Sequence, residues 1–278
     1  MRWYNYSKNK MALMETKMHH NILRSKLESG KPTLGTHVML ALPEVIDALG
    51  HTGIYDYVEF VAEYGDYDMH DLANIARASE LYGLGTMIKV DKSHQEFTAQ
   101  RAVGSGFNSV LYTDARSAND VREALKITNP DSPEHKGLYG CATRRNAYID
   151  DNSPEYVNKI ASTVKAVMIE KQGAVDELDE ILEIPGIDLV QWGGGDFSQN
   201  IGHPGEQNHP IVKAAHDKVF KESLRAGIQP RAEIESPDEV KMYLDMGVKH
   251  FSIGTDISML YSWWKNNGED VLRSIEGE

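Results

Sequence analysis

The chain has one cysteine, Cys141, among 278 residues, and it has no long apolar run. A single cysteine excludes an intrachain disulfide framework and is typical of a reducing compartment, so we expect a cytoplasmic protein. A transmembrane helix needs about 18 or more consecutive apolar residues, and because no such run occurs we expect no membrane partner. The first residues also lack the apolar core of a signal peptide.

Positive charge is scarce as well. The chain has 29 Lys and Arg residues against 42 Asp and Glu residues, which gives a formal net charge of -13 at pH 7. A nucleic-acid partner requires a basic stripe that can lie along phosphates, but the Lys and Arg residues here are scattered among acids. We therefore expect no nucleic acid, and an anionic substrate would need positive groups or a metal ion inside its site.

Short β-branched runs alternate with amphipathic segments along most of the chain. This alternation predicts right-handed βαβ units and a parallel sheet. Eight such runs predict a (β/α)8 barrel, an α/β fold of the TIM-barrel type. A doubly wound sheet is the alternative, but no G-x-G-x-x-G motif follows the first run. The predicted strands are residues 33–40, 55–63, 85–90, 109–115, 165–171, 187–194, 228–234 and 250–256.

Two segments lie outside this alternation. Residues 10–29 form an amphipathic pattern that ends at a Gly and a Pro, so we expect a helical extension over residues 1–32 and a barrel domain over 33–278. Residues 129–155 are rich in Pro, Gly and Asn. Loops of this length are commonly functional, and we expect this one to fold over the mouth of the barrel, where barrel active sites lie.

Two acids lie at the carboxyl ends of predicted strands, since Glu170 ends the fifth and Asp196 follows the sixth. Because adjacent parallel strands end at the same face about 5 Å apart, the two carboxylates can converge on one Mg²⁺ or Mn²⁺ ion. The glycines before Asp196 remove side chains, so backbone N–H groups can face an anion. Two solvated acids near loops would give the same spacing, and the spacing alone leaves both interpretations open.

The segment "MIE" followed by "LDEILEIPGIDLVQWGGGDFSQNIG" resembles the metal-dependent HpcH/HpaI aldolase and citrate lyase family. The resemblance covers roughly residues 30–265 and includes "GFNSVLYTDARSANDVREAL" and "HPIVKAAHDKV". It implies a divalent metal cofactor, Mg²⁺ or Mn²⁺ with Co²⁺ as a further candidate, chelated by Glu170 and Asp196. It also implies a 2-oxo acid whose carboxylate is bound near Gly194, Gly195, Asp196 and Ser198.

Other positions depart from the family pattern. Where the family has "DxEH" at the end of the second strand, this chain has Val61, Glu63 and Tyr64, and the Arg at the end of the third strand is replaced by Lys89. The resemblance implies that Lys89 supports an enolate oxygen and that Glu63, with Tyr64, carries the proton. A Lys lacks the bidentate fork of Arg, and a Tyr with a pKa of about 10 is a poor base. His37 replaces a Trp, and it is either a relocated base or a packed histidine.

Two arginines and an aromatic segment suggest further contacts. Arg144 and Arg145 match a place where the family loop often has an Arg, and they would bind a second carboxylate of the co-substrate or a neighbouring subunit. The resemblance also implies a homo-oligomer, commonly a hexamer, in which terminal helices are exchanged. The aromatic segment 261–264, "YSWW", suits such an interface.

The function that these features favour is a class II pyruvate aldolase-like lyase, which acts on a 2-oxo acid and an aldehyde or acid co-substrate through a metal-stabilised enolate. The altered positions leave two enzymatic alternatives open, an enolate-forming decarboxylase and a citrate-synthase-like condensing enzyme. A barrel that binds a metabolite without catalysis is a third alternative. The presence of both metal carboxylates argues against this last one.

Overall fold

A computed structural model of the chain describes residues 21–141, 144–149 and 153–277. Eight parallel strands form a closed barrel in which the order around the barrel is the order along the chain. Because β1 pairs with β8 as well as with β2, the sheet is closed, and the doubly wound alternative is wrong. The strands are β1 Thr33–Val38, β2 Tyr57–Val61, β3 Gly85–Val90, β4 Ser109–Tyr112, β5 Val164–Ile169, β6 Leu189–Trp192, β7 Gln229–Ile234 and β8 His250–Thr255.

Helices surround the barrel and confirm the predicted (β/α)8 fold. They are α1 Ile22–Glu28, α2 Pro43–Thr52, α3 Met69–Tyr82, α4 Gln95–Ser105, α5 Ala118–Lys126, α6 Arg144–Ile149, α7 Pro154–Ala161, α8 Gln172–Asp176, α9 Leu178–Leu182, α10 Gly194–Asn200, α11 Pro210–Arg225, α12 Val240–Met246 and α13 Asp256–Glu276, with a 3-10 turn at Pro237–Glu239. Among the described residues, no helix is both long enough and apolar enough to cross a membrane.

The strands overlap all eight predicted runs, and several of them are buried along their whole length, including β2, β3, β4 and β5. Parallel strands read as continuous apolar runs because helices cover their outer face and side chains fill the barrel interior. The predicted runs extend beyond β4, β5 and β6 at the carboxyl end. There the chain leaves the sheet, and its polar side chains line the mouth.

The amino-terminal end of the barrel is closed by α1. Leu23 is fully buried beneath the strands, and Arg24 pairs with Asp188, which precedes β6, at 2.7 Å between Nη2 and Oδ2. Asn21 donates through Nδ2 to the carbonyl of Asn108 at 2.8 Å. This helix is the described part of the predicted helix 10–29, and residues 10–20 lie outside the described residues.

The segment 129–155 does not cover the mouth in its described parts, and that prediction is wrong for them. Because α5 carries the chain back toward the amino-terminal end before the segment begins, the segment starts at the opposite end from the mouth. Leu138 accepts a hydrogen bond from Gln100 of α4 at 3.1 Å, and Tyr139 is buried in the core under the outer helices. The segment therefore packs against the outside of the barrel.

Candidate active site

Charged and polar side chains from five consecutive strand ends meet at the carboxyl-terminal face of the barrel. They form two groups, one on β2 and β3 and one on β4, β5 and β6. The members of the cluster are Glu63, Tyr64, Lys89, Asp114, Glu170, Lys171 and Asp196.

Lys89 is the centre of the first group. Its Nζ donates to the Tyr64 hydroxyl at 2.6 Å and lies 2.7 Å from Oε2 of Glu63. Burial lowers the pKa of Lys89, but its neighbours Tyr64 and Glu63 raise the pKa more, so Lys89 is a cation. Three of the four residues that the sequence suggested for catalysis are therefore brought together, and His37 is the exception.

Tyr64 keeps its proton at neutral pH. Its burial raises the pKa of the phenol to about 12, against the lowering effect of Lys89. The hydroxyl accepts from Lys89 and can donate its own proton in turn. Tyr64 can therefore act as a donor and as a positioning group for Lys89, and Glu63 supplies the carboxylate of this group.

Glu170 and Asp196 belong to the second group. Glu170 is only 3% exposed, and its Oε1 accepts the N–H of Asp114 at 2.7 Å. Asp114 has a left-handed backbone at this contact, with φ of 57°. Burial raises the pKa of Glu170 to about 7, and the negative charge of Asp196 adds to this shift. The two carboxylates therefore interact across neighbouring strands.

Sequence reasoning missed Lys171, which links the second group. Its Nζ lies 2.7 Å from Oδ1 of Asp196 and 2.8 Å from Oδ1 of Asp114. Asp114 was missed too, although the signal was present, because it follows the fourth strand as Glu170 follows the fifth. Lys171 follows Glu170 directly, and only the folded chain shows which acids it bridges.

Two of the three glycines before Asp196 are required by close packing. A Cβ on Gly193 would lie 2.7 Å from Oε2 of Glu170, and one on Gly194 would lie 2.8 Å from Nε1 of Trp192. At Gly195 the nearest atom, from Gln207, is at 3.9 Å. The first glycine therefore leaves the space that the Glu170 carboxylate occupies, and this explains the absence of a side chain at that position.

The same turn starts α10, whose hydrogen bonds begin with the Phe197 N–H to the Gly193 carbonyl at 3.0 Å. The N–H groups of Gly194, Gly195 and Asp196 precede this first bond, as the first N–H groups of a helix do. Ser198 is different, because it is fully buried and its hydroxyl donates to the Gly195 carbonyl at 2.7 Å. The sequence predicted that Ser198 contacts a substrate. The structure instead gives its side chain a structural role inside the helix.

His37 lies inside the barrel and is 3% exposed. Its Nδ1 lies 3.0 Å from the Gly254 carbonyl, to which it donates, and its Nε2 lies 3.1 Å from Nη2 of Arg231. Arg231 is fully buried and forms an ion pair with Glu59. One ring nitrogen of His37 donates a hydrogen bond and the other faces a guanidinium. Of the two alternatives, a relocated base and a packed histidine, the structure supports the packed histidine. The base hypothesis for it is not supported.

Arg145 does not reach the mouth. It forms an ion pair with Glu80, near the end of α3, and its guanidinium lies against Gly106, which precedes β4. Because both partners lie toward the amino-terminal end of the barrel, Arg145 cannot bind a substrate at the mouth from this position. The side chain of Arg144 lies outside the described residues.

The donor atoms of Glu170 and Asp196 fit a hard divalent cation. Both offer carboxylate oxygens, which Mg²⁺ and Mn²⁺ prefer. Gly193 leaves open the space next to Oε2 of Glu170. Lys171 occupies Oδ1 of Asp196, so a cation held by both carboxylates would share Asp196 with this ammonium or displace it.

Acids and lysines gathered at the carboxyl ends of barrel strands are typical of the active site of a (β/α)8-barrel enzyme. Residues 34–262 match the HpcH/HpaI aldolase/citrate lyase family, and the chain belongs to this family. The hydroxypyruvate/pyruvate aldolase of Paraburkholderia phytofirmans is 24% identical over 241 residues, which cover 85% of this chain and 92% of that protein.

Solved structures show the same fold. An HpcH/HpaI aldolase/citrate lyase family protein from Burkholderia cenocepacia superposes with a TM-score of 0.81 at 24% identity, covering 91% of this chain and 99% of that one. The CitE protein of Mycobacterium tuberculosis, in complex with magnesium and acetate, has a TM-score of 0.55 at 13% identity, covering 84% and 88%. The predicted family and the prediction of an aldolase-type lyase are confirmed.

Metal binding should depend on pH because the raised pKa of Glu170 is about 7. A cation binds the carboxylate form, so apparent affinity should increase with pH up to about 7 and level off above it. Below that value it should fall by about tenfold per pH unit. Calorimetric titration with Mn²⁺ between about pH 5.5 and pH 8.5 measures this pH dependence. A metal affinity that is constant over the range would contradict the prediction.

Proposed function

We propose that the protein is a class II aldolase-like lyase that forms the enolate of a 2-oxo acid, with pyruvate or hydroxypyruvate as the donor. The observation that carries this proposal is the pairing of Glu170 and Asp196 at neighbouring strand ends, with the Lys89 ammonium close enough to lower the pKa of Glu170. The printed activity of the Paraburkholderia relative supports the choice of donor.

The metal ion would be held by Glu170 and Asp196, as Mg²⁺ or Mn²⁺, with Co²⁺ a further candidate. When bound, it would polarise the keto oxygen and stabilise the negative charge of the enolate. Lys89 places a second positive charge at the same face, where it stabilises that oxygen. The N–H groups of Gly194 and Gly195 orient the substrate carboxylate at the start of α10.

We assign the proton transfer from the substrate carbon to Glu63. It is the carboxylate in ion-pair contact with Lys89, whereas the Tyr64 phenol holds its proton at neutral pH. A carboxylate has a lower pKa than the carbon acid, but charge stabilisation on the enolate oxygen makes transfer from carbon to Glu63 feasible. In the aldol direction the enolate carbon then attacks the aldehyde carbon. A carbon–carbon bond forms as the C=O π bond of the aldehyde opens, and the resulting alkoxide takes the proton back from Glu63.

The direct test is turnover of pyruvate or hydroxypyruvate with a panel of aldehydes in the presence of Mg²⁺, Mn²⁺ or Co²⁺. We expect an aldol product that forms only when a metal ion is added, because the enolate needs that charge. The same reaction with added chelator is the control. Absence of any product, combined with decarboxylation of a 2-oxo diacid, would favour the decarboxylase alternative instead.

We also propose a homo-oligomer, with a hexamer as the expected form, in which α13 packs on another subunit. This helix is 21 residues long, and of its residues only Asp256 is buried within the chain. Trp263 and Trp264 are 64% and 63% exposed, and large apolar residues on a surface mark an interaction site. The cytoplasmic location remains a proposal that the single cysteine supports.

Light scattering should therefore give a mass that is a multiple of the 31.1 kDa chain mass at micromolar concentration. Replacing Trp263 and Trp264 by Glu should shift this mass toward the monomer, because charges would be buried at the interface. Replacing Lys241 and Asp245, an exposed pair on α12, by Ala is the matched control and should leave the mass unchanged. A monomeric parent protein would refute the proposal.

A further inference from the structure

A second group of metal-ligating side chains lies outside the active site. The segment between α10 and α11 contains His203, Glu206 and His209, which are spaced three residues apart. One ligand atom from each of these side chains lies within 4.8 Å of the other two. Neither the aldolase chemistry nor the fold requires such a cluster.

The backbone of this segment places the three residues on one side. The His203 N–H donates to the Ser198 carbonyl at 2.7 Å, which ties the segment to α10. The Glu206 N–H then donates to His203 at 3.0 Å, and the His209 N–H donates to Glu206 at 2.9 Å. Each of the three residues is thus joined to the next by one hydrogen-bonded turn. Gly205, with φ of 79°, takes a left-handed conformation inside the first of these turns.

The side chains are already close to one another. The rings of His203 and His209 are stacked, with centroids 3.7 Å apart and an angle of 22° between their planes. Nδ1 of His203 lies 3.3 Å from Oε2 of Glu206. His209 caps α11, and its Nδ1 accepts the Ile211 N–H at 3.4 Å, which leaves Nε2 as its available ligand atom. Glu206 is exposed and the two histidines are partly exposed, so an ion can enter from solvent.

We propose that His203, Glu206 and His209 bind a second divalent cation of the borderline class, Zn²⁺, Ni²⁺, Cu²⁺ or Co²⁺. Imidazole nitrogens suit these ions, whereas Mg²⁺ prefers the all-oxygen pair of Glu170 and Asp196. Two histidines and one glutamate also form a known zinc ligand set, in which the fourth position is open to water.

The second ion would act on the active site through Gln207. This residue lies between two of the ligands, and its side chain reaches the turn that starts α10, where a Cβ on Gly194 would be 3.4 Å from its Oε1. An ion that joins His203, Glu206 and His209 would fix the loop and hold Gln207 at the mouth. Its role would be to position this loop, and it would not take part in the aldol chemistry.

The test uses Zn²⁺ alone and a tag-free Glu170→Ala/Asp196→Ala variant, in which the proposed aldolase site is removed. We expect calorimetry to show one Zn²⁺ bound per chain, and hydrogen exchange to show slower exchange of the amides in residues 203–211. Adding His203→Gln and His209→Gln should abolish both effects. Adding His70→Gln and His94→Gln, two exposed histidines elsewhere, should abolish neither.

The outcome is separate from that of the aldolase proposal, because Zn²⁺ binding is measured without Glu170 and Asp196. Failure to bind Zn²⁺ below millimolar concentration, in a variant whose circular dichroism is that of the parent, would overturn the proposal. Binding that survives the loss of both His203 and His209 would overturn it equally. A Glu206→Gln variant with weakened binding and an unchanged fold would support Glu206 as the third ligand.

Discussion

The Glu170→Ala and Asp196→Ala variants are expected to lose measurable Mg²⁺ and Mn²⁺ binding and to fall to background turnover. Each substitution removes one of the two proposed metal ligands, and the remaining one is left beside Lys171, which lies 2.7 Å from Asp196. A single carboxylate next to an ammonium binds a divalent cation poorly, because the ammonium repels the ion and already neutralises part of the negative charge.

The fold should survive both substitutions. Asp196 is half exposed, and Glu170 has a raised pKa, so its ionised form is disfavoured by burial in the metal-free protein. Removing a carboxylate whose ionised form is disfavoured costs little stability. Glu180→Ala on the exposed face of α9, where Glu180 pairs with Arg122, is the matched control and should retain binding. Calorimetry with unchanged metal affinity in both active-site variants would show that the site assignment is wrong.

The Lys89→Met variant is expected to lose enolate formation while it keeps the metal ion. Charge placed where an oxyanion develops is commonly worth about 2.7–4 kcal/mol, or roughly 10²–10³ in rate. Lys89 is 7% exposed and remains a cation beside Tyr64 and Glu63, so its charge is held at a fixed place with little solvent screening. Turnover should fall by about that factor of 10²–10³, with little change in metal affinity.

The assay is deuterium exchange into the methyl group of pyruvate, which requires the enolate but no knowledge of the aldehyde. Lys126→Met is the matched control, because Lys126 pairs with Glu123 on the exposed face of α5, away from the cluster. Lys89→Arg should retain only part of the activity, since the Tyr64 hydroxyl at 2.6 Å occupies the space that a guanidinium needs.

Two results would change the interpretation of Lys89. Metal-dependent exchange in the parent that is undiminished in Lys89→Met would remove the role assigned to this residue. No exchange in the parent at all would argue against pyruvate enolisation, and the decarboxylase or the non-catalytic hypothesis would then gain support. The metal titration of the Glu170 and Asp196 variants stays informative in either case.

The barrel and the position of Glu170 and Asp196 could be predicted from local sequence patterns. Eight apolar runs separated by amphipathic segments specify a closed parallel sheet, because each strand must be buried on both faces and each helix on one. The place of Glu170 and Asp196 follows from the same rule, since carboxyl ends of parallel strands meet at one face. Glu63 and Lys89 were located by the resemblance to the family, and they form an ion pair at 2.7 Å.

The partners of the other polar residues could not be predicted in this way, because they come from distant parts of the chain. Arg145 and Glu80 are 65 positions apart, and the chain brings them together because α5 returns to the amino-terminal end before the segment 129–155 begins. His37 became a packed residue through Arg231, which comes 194 positions later on β7. A charged or polar residue has the same local sequence pattern whether its side chain contacts a substrate, an ion or another strand. Which partner it meets is set by long-range packing, and that packing brought Lys171 between Asp114 and Asp196.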